Sequence, residues 1–280
     1  MQIIETVNRM QETAVQQRTQ GRLIALVVTS GAIHDGHLSL VKKAQEQADT
    51  VVVSIFVNPL EFGPNEDYDR YPRSREKDLE LCEAAGVDIV FIPTSKEMYP
   101  AGYSSKIAEE KYSKGLCGVS RPSYFRGACT SYVKFFNVIR PDTLVMGQRD
   151  AQLVAVIRKL ITDLNFPVDV EAGPVVRADD GLALGARNSY LNDFQRCDAV
   201  ILCKALNEGQ KLVDNGIRNV DRVLAEVIHH ITQCRRLRVI HVSAVDPETM
   251  EPRREIVMGK TLVVAAAWCD EVRLLDCLSL

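Results

Sequence analysis

Two histidines lie three residues apart in a segment that also carries two glycines. Residues 29–37 read TSGAIHDGH, and His34 and His37 follow an apolar run. The free N–H groups at the start of a helix can bind a phosphate, and residues three apart share one face of that helix. Gly31 and Gly36 would let the backbone approach a ligand closely. The segment therefore predicts imidazole N–H donors that bind ATP phosphates and stabilise the charge on departing pyrophosphate. The apolar run directly before the segment disfavours the alternative, two surface histidines on a polar turn.

A second polar segment follows the next apolar run. Residues 54–59, SIFVNP, end that run and lead into a loop rich in Pro, Asn, Asp and Gly, which continues to Tyr71-Pro72-Arg73. Loops at the ends of strands often carry binding residues. Taken alone, this loop is explained equally well as an ordinary surface turn.

The elements that would position these segments alternate along the chain. Short apolar runs predict strands, and apolar residues at helical spacing predict helices between them. The predicted strands are Leu23–Val28, Thr50–Val57, Asp88–Ile92, Thr143–Met146 and Val168–Glu171, and the predicted helices are 4–19, 36–47, 74–85 and 150–164. This alternation indicates an α/β fold with a parallel sheet and crossover helices.

The pattern changes towards the C-terminus. Two helical stretches, Phe194–Asn215 and Val220–Cys234, precede the strand-like runs Arg238–Val245, Thr261–Ala266 and Val272–Leu275. We therefore expect a first domain over residues 1–175 and a smaller α+β domain over residues 176–280.

Composition excludes several classes of protein. The 280 residues carry a net charge of −3 without a basic block, so the charge pattern gives no sign of nucleic-acid binding. No apolar run approaches the roughly 20 residues of a membrane helix, and the N-terminus lacks a signal-peptide pattern. We expect a cytoplasmic protein. The eight cysteines include no CxxC pair, which argues against a zinc site and favours reduced thiols.

Taken together, these segments resemble the pantothenate synthetase family. The HxGH segment is typical of nucleotidylyltransferases and related adenylate-forming enzymes, and the SIFVNP string with Tyr71-Pro72-Arg73 matches this family in particular. Further matches follow in the family's order along almost the whole chain: Glu97–Pro100, Leu116–Pro122, Phe135–Asn137, Gly147–Gln152, Asp180–Leu184, Arg187-Asn188, Trp268 and Arg273-Leu274.

The resemblance implies a fold and a reaction. The expected fold is a Rossmann-like domain with a small C-terminal lid domain, in a homodimer. ATP and pantoate would give pantoyl adenylate and pyrophosphate, and β-alanine would then attack to give pantothenate and AMP. Mg²⁺ would accompany ATP. The partners are thus small-molecule acid and amine substrates.

The resemblance also assigns roles to particular residues. It implies catalytic roles for His34, His37 and Arg187 and a place for Asp150 beside the metal. The implied ATP-binding residues are Gly31, His34, His37, Gly147, Arg149, Asp150, Val176, Gly185, Ala186 and Arg187. The implied acyl-substrate residues are Ser30, Asn58, Glu61, Phe62, Tyr71, Tyr124 and Leu153.

Several of these positions depart from the family pattern. Ser30 replaces a methionine, Tyr124 a histidine, Arg149 a lysine, the Gly185-Ala186 pair two serines, and Glu61 and Leu153 each a glutamine that binds pantoate. The phosphate-site changes keep a positive charge and backbone N–H groups, so adenylation stays plausible but is expected to be slower.

The changes at Glu61 and Leu153 are harder to reconcile with pantoate. An ionised glutamate only accepts hydrogen bonds and would repel a carboxylate at 4 Å by about 1–4 kcal/mol. We therefore expect an acid other than pantoate, with an amino group that pairs with Glu61. Two alternatives stay open: a true pantothenate synthetase that compensates for these changes, and a non-catalytic ATP-binding relative. The retained His34, His37, Asp150 and Arg187 argue against the latter.

Overall fold

A six-stranded parallel sheet forms the first part of the chain. The structure is a computed structural model that describes residues 1–280. The strands are β1 (Gln2–Ile4), β2 (Ile24–Thr29), β3 (Thr50–Ile55), β4 (Ile89–Phe91), β5 (Thr143–Gly147) and β6 (Asp169–Gly173). The helices between them are α1 (Val7–Thr19), α2 (Asp35–Gln45), α3 (Arg75–Ala84), α4 (Ser95–Met98), α5 (Cys117–Ser120), α6 (Tyr124–Ile139) and α7 (Ala151–Asp163). Short 3₁₀ turns cover Pro59–Glu61, Gln148–Asp150 and Ala186–Tyr190.

The central strands are apolar because helices cover both faces of the sheet. Ile24 and Leu26 of β2 pack on one face with residues of α1, α6 and α7. Ala25 and Val27 point to the other face and pack with residues of α2 and α3. The alternation of side chains along a strand thus places each successive residue of β2 in a different core.

The strand order creates a crevice beside β2. The order is β1-β4-β3-β2-β5-β6, so β2 lies between β3 and β5. The chain moves outward through β3 and β4 on one side and through β5 and β6 on the other. Such a switch in strand order opens a crevice at the carboxyl ends of the strands, where α/β proteins bind their ligands. The segment that contains His34 and His37 leaves β2 at this point.

The second part of the chain consists of two helices and an antiparallel sheet. Helices α8 (Asp193–Asp214) and α9 (Val220–Thr232) precede β7 (Leu237–Val245), β8 (Leu262–Cys269) and β9 (Val272–Ser279). The sheet order is β7-β8-β9, and it shares a separate core with the two helices. We propose residue 175 as the domain boundary because the parallel sheet ends at Gly173 and Leu182 already packs in this second core.

The predicted α/β class with a smaller second domain is confirmed, and the predicted strands and helices occur with bounds shifted by a few residues. One prediction was wrong: the chain does not enter a helix at residue 4, because Gln2–Ile4 pairs with β4 as a strand. Helix α6 was not predicted, although Phe125, Ala128, Cys129, Tyr132 and Phe136 follow helical spacing. None of the helices has both the length and the apolarity needed to cross a membrane.

Candidate active site

A cleft opens at the carboxyl edge of the parallel sheet and is closed on its other side by the second part of the chain. Residues of β2 and of the segment after β3 line it from the sheet, residues of α6 and α7 line it from the helices, and Arg273 and Asp276 of β9 line it from the second part. The cleft has two ends of different chemistry. We call the end at His37, Arg149 and Arg187, where the sequence predicts a nucleotide, the nucleotide end, and the end at Asn58, Glu61 and Tyr124, where it predicts the acid substrate, the acid end.

At the nucleotide end, two stacked imidazoles lie at the start of α2. The rings of His34 and His37 stack with their centroids 4.0 Å apart. His34 caps the helix because its Nδ1 accepts from the N–H of Gly36 at 3.1 Å. A Cβ on Gly36 would lie 2.9 Å from that ring, which explains the glycine.

Both histidines are neutral proton donors at ordinary pH. Burial, with a contribution from Arg149, lowers the pKa of His34 to about 4. Burial, His34 and Arg149 hold the pKa of His37 well below its usual value. Because Nδ1 of His34 accepts a hydrogen bond, its ring proton sits on Nε2. The same holds for His37, whose Nδ1 accepts a long bond of 3.4 Å from the N–H of His34. Each ring therefore keeps one N–H for a phosphate.

A buried carboxylate from α3 holds this turn in place. Asp78 accepts from the N–H groups of Ala32 and Ile33 at 2.9 and 2.8 Å, and from Ser74 Oγ at 3.0 Å. Gly31 has φ of +80°, and a Cβ on it would lie 3.0 Å from Asp78. The sequence analysis missed Asp78, and no feature of its local sequence distinguishes it from a surface helical acid.

Arg149 occupies space that Gly185 leaves free. Its guanidinium donates to the carbonyl of Leu184 and, through Nη2, to Asp150 Oδ2 at 3.0 Å. A Cβ on Gly185 would lie 2.0 Å from Arg149 Nη1. A larger residue at position 185 would therefore displace the guanidinium, so the two departures from the family pattern fit one another.

The segment 62–71 is held against the cleft by ion pairs. Arg187 donates to both oxygens of Asp67 at 2.9 and 2.8 Å, and Tyr190 also donates to Asp67. Although burial opposes it, Arg187 holds the pKa of Asp67 below its ordinary value. Arg121 binds Glu66 in the same way, with a closest distance of 2.6 Å. A phosphate that binds Arg187 therefore competes with Asp67.

At the acid end, Asn58 has a complete set of hydrogen bonds. Its Oδ1 accepts from Leu60 N at 3.1 Å and from the hydroxyl of Tyr99 at 2.9 Å. Its Nδ2 donates to Glu61 Oε1 and to the carbonyl of Gly127, both at 3.0 Å. These partners fix the amide orientation and place Glu61 at the cleft.

Aromatic side chains form the rest of the acid end. Phe62, Tyr71, Tyr124 and Tyr132 line it together with Leu153 of α7. None of the three tyrosine hydroxyls has a hydrogen-bond partner in the protein, and burial is the leading cause of the raised pKa of each. Three neutral O–H donors are thus available to a ligand.

Most residues predicted for the site line this one cleft. They are Ser30, His37, Asn58, Glu61, Phe62, Tyr71, Tyr124, Arg149, Asp150, Leu153, Gly185, Ala186 and Arg187. The other four lie beside it: His34 stacks on His37, Gly31 belongs to the turn that Asp78 holds, Gly147 ends β5, and the carbonyl of Val176 accepts from Leu184 N. The cleft also includes Arg121, Tyr132 and Arg273, which sequence analysis did not assign to it. Tyr132 could have been found from the helical spacing of α6.

The structure contains no cluster of three or more His, Cys, Asp or Glu side chains that could hold a metal ion. Asp150 is a carboxylate at the nucleotide end, where it is paired with Arg149. A single carboxylate suits Mg²⁺ that arrives with phosphates as its other ligands.

Comparison with known proteins gives one consistent result. The family model for pantoate–β-alanine ligase matches residues 2–279. Curated pantothenate synthetases from Thermotoga petrophila and Acetivibrio thermocellus are 44% and 45% identical over 276 residues, with 99% of this chain and 98% of each relative covered.

Solved structures agree with this result. Pantothenate synthetase from Thermus thermophilus has a TM-score of 0.93 at 35% identity and covers 100% of this chain and 99% of its own. Pantoate–β-alanine ligase from Francisella tularensis, described as complexed with "beta-gamma ATP" and β-alanine, has a TM-score of 0.83 at 27% identity, with 100% of this chain and 97% of its own covered.

Proposed function

Because the chain belongs to the pantoate–β-alanine ligase family, a family of ATP-dependent ligases, we propose that it joins pantoate to β-alanine with release of AMP and pyrophosphate. The observation that carries this proposal is the match over nearly the entire chain to proteins named for that reaction. The expectation of a different acid has no support among these relatives, and they favour the alternative of a true pantothenate synthetase.

The acid end supplies donors that compensate for the lost glutamines. The hydroxyls of Tyr71, Tyr124 and Tyr132 are free, and each can donate to a carboxylate or hydroxyl oxygen. Leu153 and Phe62 give an apolar surface beside them. A small branched hydroxy acid matches this combination of donors and apolar wall.

In the first step, a carboxylate oxygen of pantoate attacks the α-phosphorus of ATP and the bond to the β-phosphate oxygen breaks. Pyrophosphate leaves with both electrons of that bond. The N–H groups of His34 and His37 and the guanidinium groups of Arg149 and Arg187 surround the nucleotide end, where they stabilise the leaving charge. Asp150 would hold Mg²⁺, which neutralises phosphate charge.

In the second step, the uncharged amine of β-alanine attacks the acyl carbon of the adenylate. A C–N bond forms, the C–O bond to AMP breaks with both electrons leaving on the AMP phosphate, and the nitrogen releases its proton to solvent. The protein contributes mainly by holding the reactants in contact in the closed cleft.

Pyrophosphate release tests this function directly. The purified protein is incubated with ATP, Mg²⁺ and either pantoate or a panel of other acids, each with and without β-alanine. We expect pyrophosphate with pantoate alone, and AMP with pantothenate when β-alanine is added. ADP as the product would contradict the adenylate route. Pyrophosphate with an amino acid but not with pantoate would restore the different-acid hypothesis, and none with any acid would support a non-catalytic relative.

We also propose a homodimer in the cytoplasm, as the family resemblance implies. Light scattering coupled to gel filtration gives the mass of the particle, and a mass of one 31.2 kDa chain would contradict the dimer.

A further inference from the structure

Glu61 carries a carboxyl group that the protein leaves without a counter-ion. Its Oε1 accepts one hydrogen bond, from Asn58 Nδ2, and it forms no salt bridge. The two nearest guanidinium groups bind other acids: Arg121 binds Glu66 and Arg187 binds Asp67. Arg121 reaches only the backbone carbonyl of Glu61, at 3.2 Å. Oε2 of Glu61 therefore has no donor in the protein.

The three fully buried carboxylates of this chain are bound very differently from Glu61, which is half-buried and lines the cleft. Asp78 accepts from two backbone N–H groups and a hydroxyl. Glu109 accepts from three backbone N–H groups, of residues 111–113. Asp276 accepts two hydrogen bonds from the guanidinium of Arg177 and one from the backbone N–H of Cys277. Because an ion withdrawn from water needs several donors or a counter-ion, a substrate that covers the cleft leaves Glu61 in surroundings that suit a neutral acid.

Some of the groups around Glu61 raise the pKa of its carboxyl group and others lower it. Burial is the largest effect and raises its pKa to about 7, while the Asn58 bond, Arg121 and Arg187 oppose the rise and Asp150 reinforces it. The remaining neighbours are uncharged groups whose own pKa values are raised by burial: Tyr71, Tyr99, Tyr124, Cys129 and Tyr132. An anionic substrate would favour the neutral acid further.

We propose that Glu61 binds the acid substrate as a neutral carboxylic acid, with Oε1 held by Asn58 and the O–H on Oε2 donated to an oxygen of pantoate. This inference rests on the proposed function. A carboxylic acid offers one acceptor and one donor, as a glutamine amide does. Glu61 then attracts the substrate instead of repelling it, and pantoate binding takes up a proton wherever free Glu61 is ionised.

The sign of the pH dependence follows from this. Below about pH 7 the donor is present, and pantoate binds with constant affinity. Above that pH the donor is lost, so the KM for pantoate rises by up to about tenfold per pH unit. A substrate that paired its ammonium group with ionised Glu61 would show the opposite sign, with KM falling as pH rises through the same range.

The experiment measures adenylate formation without β-alanine, since this removes the titration of the second substrate. Pyrophosphate release is followed in pantoate titrations from about pH 6 to about pH 9. Wild-type protein is compared with Glu61→Gln and with a control variant, Glu109→Gln. The wild-type Glu109 carboxylate is fully hydrogen-bonded within the protein. We expect the KM of the wild type and of Glu109→Gln to rise above about pH 7, and that of Glu61→Gln to stay flat.

Infrared difference spectra of wild type minus Glu61→Gln test the protonation state without turnover. We expect a carboxylic-acid C=O band at about pH 6 that is lost towards about pH 9 and persists to higher pH with pantoate bound. A flat KM in the wild type, a falling KM, or absence of the band at low pH overturns the inference while the proposed function stands. Failure to use pantoate at every pH, with the band present, contradicts both.

Discussion

The two ends of the cleft offer different chemical groups to a ligand. The nucleotide end offers two imidazole N–H groups and two guanidinium groups, and each guanidinium there is already paired with a carboxylate: Arg149 with Asp150, and Arg187 with Asp67. The acid end uses neutral phenols, one carboxyl group without a counter-ion, and an apolar wall. A triply or quadruply charged phosphate chain can displace such paired carboxylates, whereas a small monoanion is bound more readily by free neutral donors.

The ends also differ in how they are assembled. The two histidines come from one short segment between β2 and α2, fixed by its own backbone and by Asp78. The acid end combines a turn after β3, the segment 62–71, and helices α6 and α7. Gly127 of α6 allows this because a Cβ there would lie 2.3 Å from the carbonyl of Leu60. If the two ends are functionally separate, a substitution at the nucleotide end should leave the KM for pantoate nearly unchanged. A substitution at the acid end should leave ATP affinity nearly unchanged.

The largest expected effect is at the histidines. His34→Ala or His37→Ala removes a positioned donor to the developing charge and should slow adenylate formation by a factor of about 10²–10³. Single-turnover pyrophosphate release at saturating pantoate measures this, and the KM for pantoate should change little. The control is His230→Ala, on α9 away from the cleft, where the ring contacts Glu226. Full single-turnover rates in both site variants would show that these histidines are not catalytic.

The next effect should appear where Arg149 and Gly185 share space. Gly185→Ser would force the guanidinium to move and weaken ATP binding, and Arg149→Lys in the same chain should restore much of it. We expect a coupling of about 1–3 kcal/mol in a double-mutant cycle of ATP binding, measured by calorimetry. Ala186→Ser, at the adjacent position, is the control. Additive effects of the two substitutions would show that the residues do not depend on one another.

A smaller effect should be confined to the acid end. Tyr99→Phe removes the hydroxyl that orients Asn58, and through it Glu61. Loss of one such bond costs about 0.5–1.5 kcal/mol, which corresponds to a KM for pantoate raised by about two- to tenfold. ATP affinity should not change. Tyr103→Phe is the matched control, because this ring packs on Tyr99 but does not bind Asn58. A loss of ATP affinity in Tyr99→Phe would argue against independent ends.

The smallest effect concerns pH at the nucleotide end. Because the pKa of His34 is lowered to about 4 and that of His37 is lower than usual, both rings stay neutral as the pH falls through 6.5. In Glu61→Gln, which removes the titration of Glu61, kcat/KM for ATP reports the free enzyme and should therefore show no inflection at the ordinary histidine pKa. An inflection there, absent in the His34→Ala and His37→Ala backgrounds, would show that one of the rings titrates in the free site.

Some features of the fold were predictable from local patterns and others were not. β2, β3 and the helices between strands follow from apolar runs and helical spacing, since burial selects those patterns directly. β1 could not be predicted because three residues carry little periodic signal, and its identity depends on pairing with β4. Helix α6 carries an apolar pattern with helical spacing, so it was predictable from the sequence alone.

The sequence by itself determined the family, most of the strands and helices, and most of the residues that line the cleft, because motif types and apolar periodicity are local properties of the chain. Tertiary structure decided how those residues behave. Whether Glu61 carries a charge depends first on its burial and then on Asn58, Arg121 and Arg187, and the two arginines lie far away in sequence and are bound to other acids. Whether a residue larger than glycine fits at position 185 depends on the position of the Arg149 guanidinium. Charge state and steric fit are set by neighbours that only folding brings together.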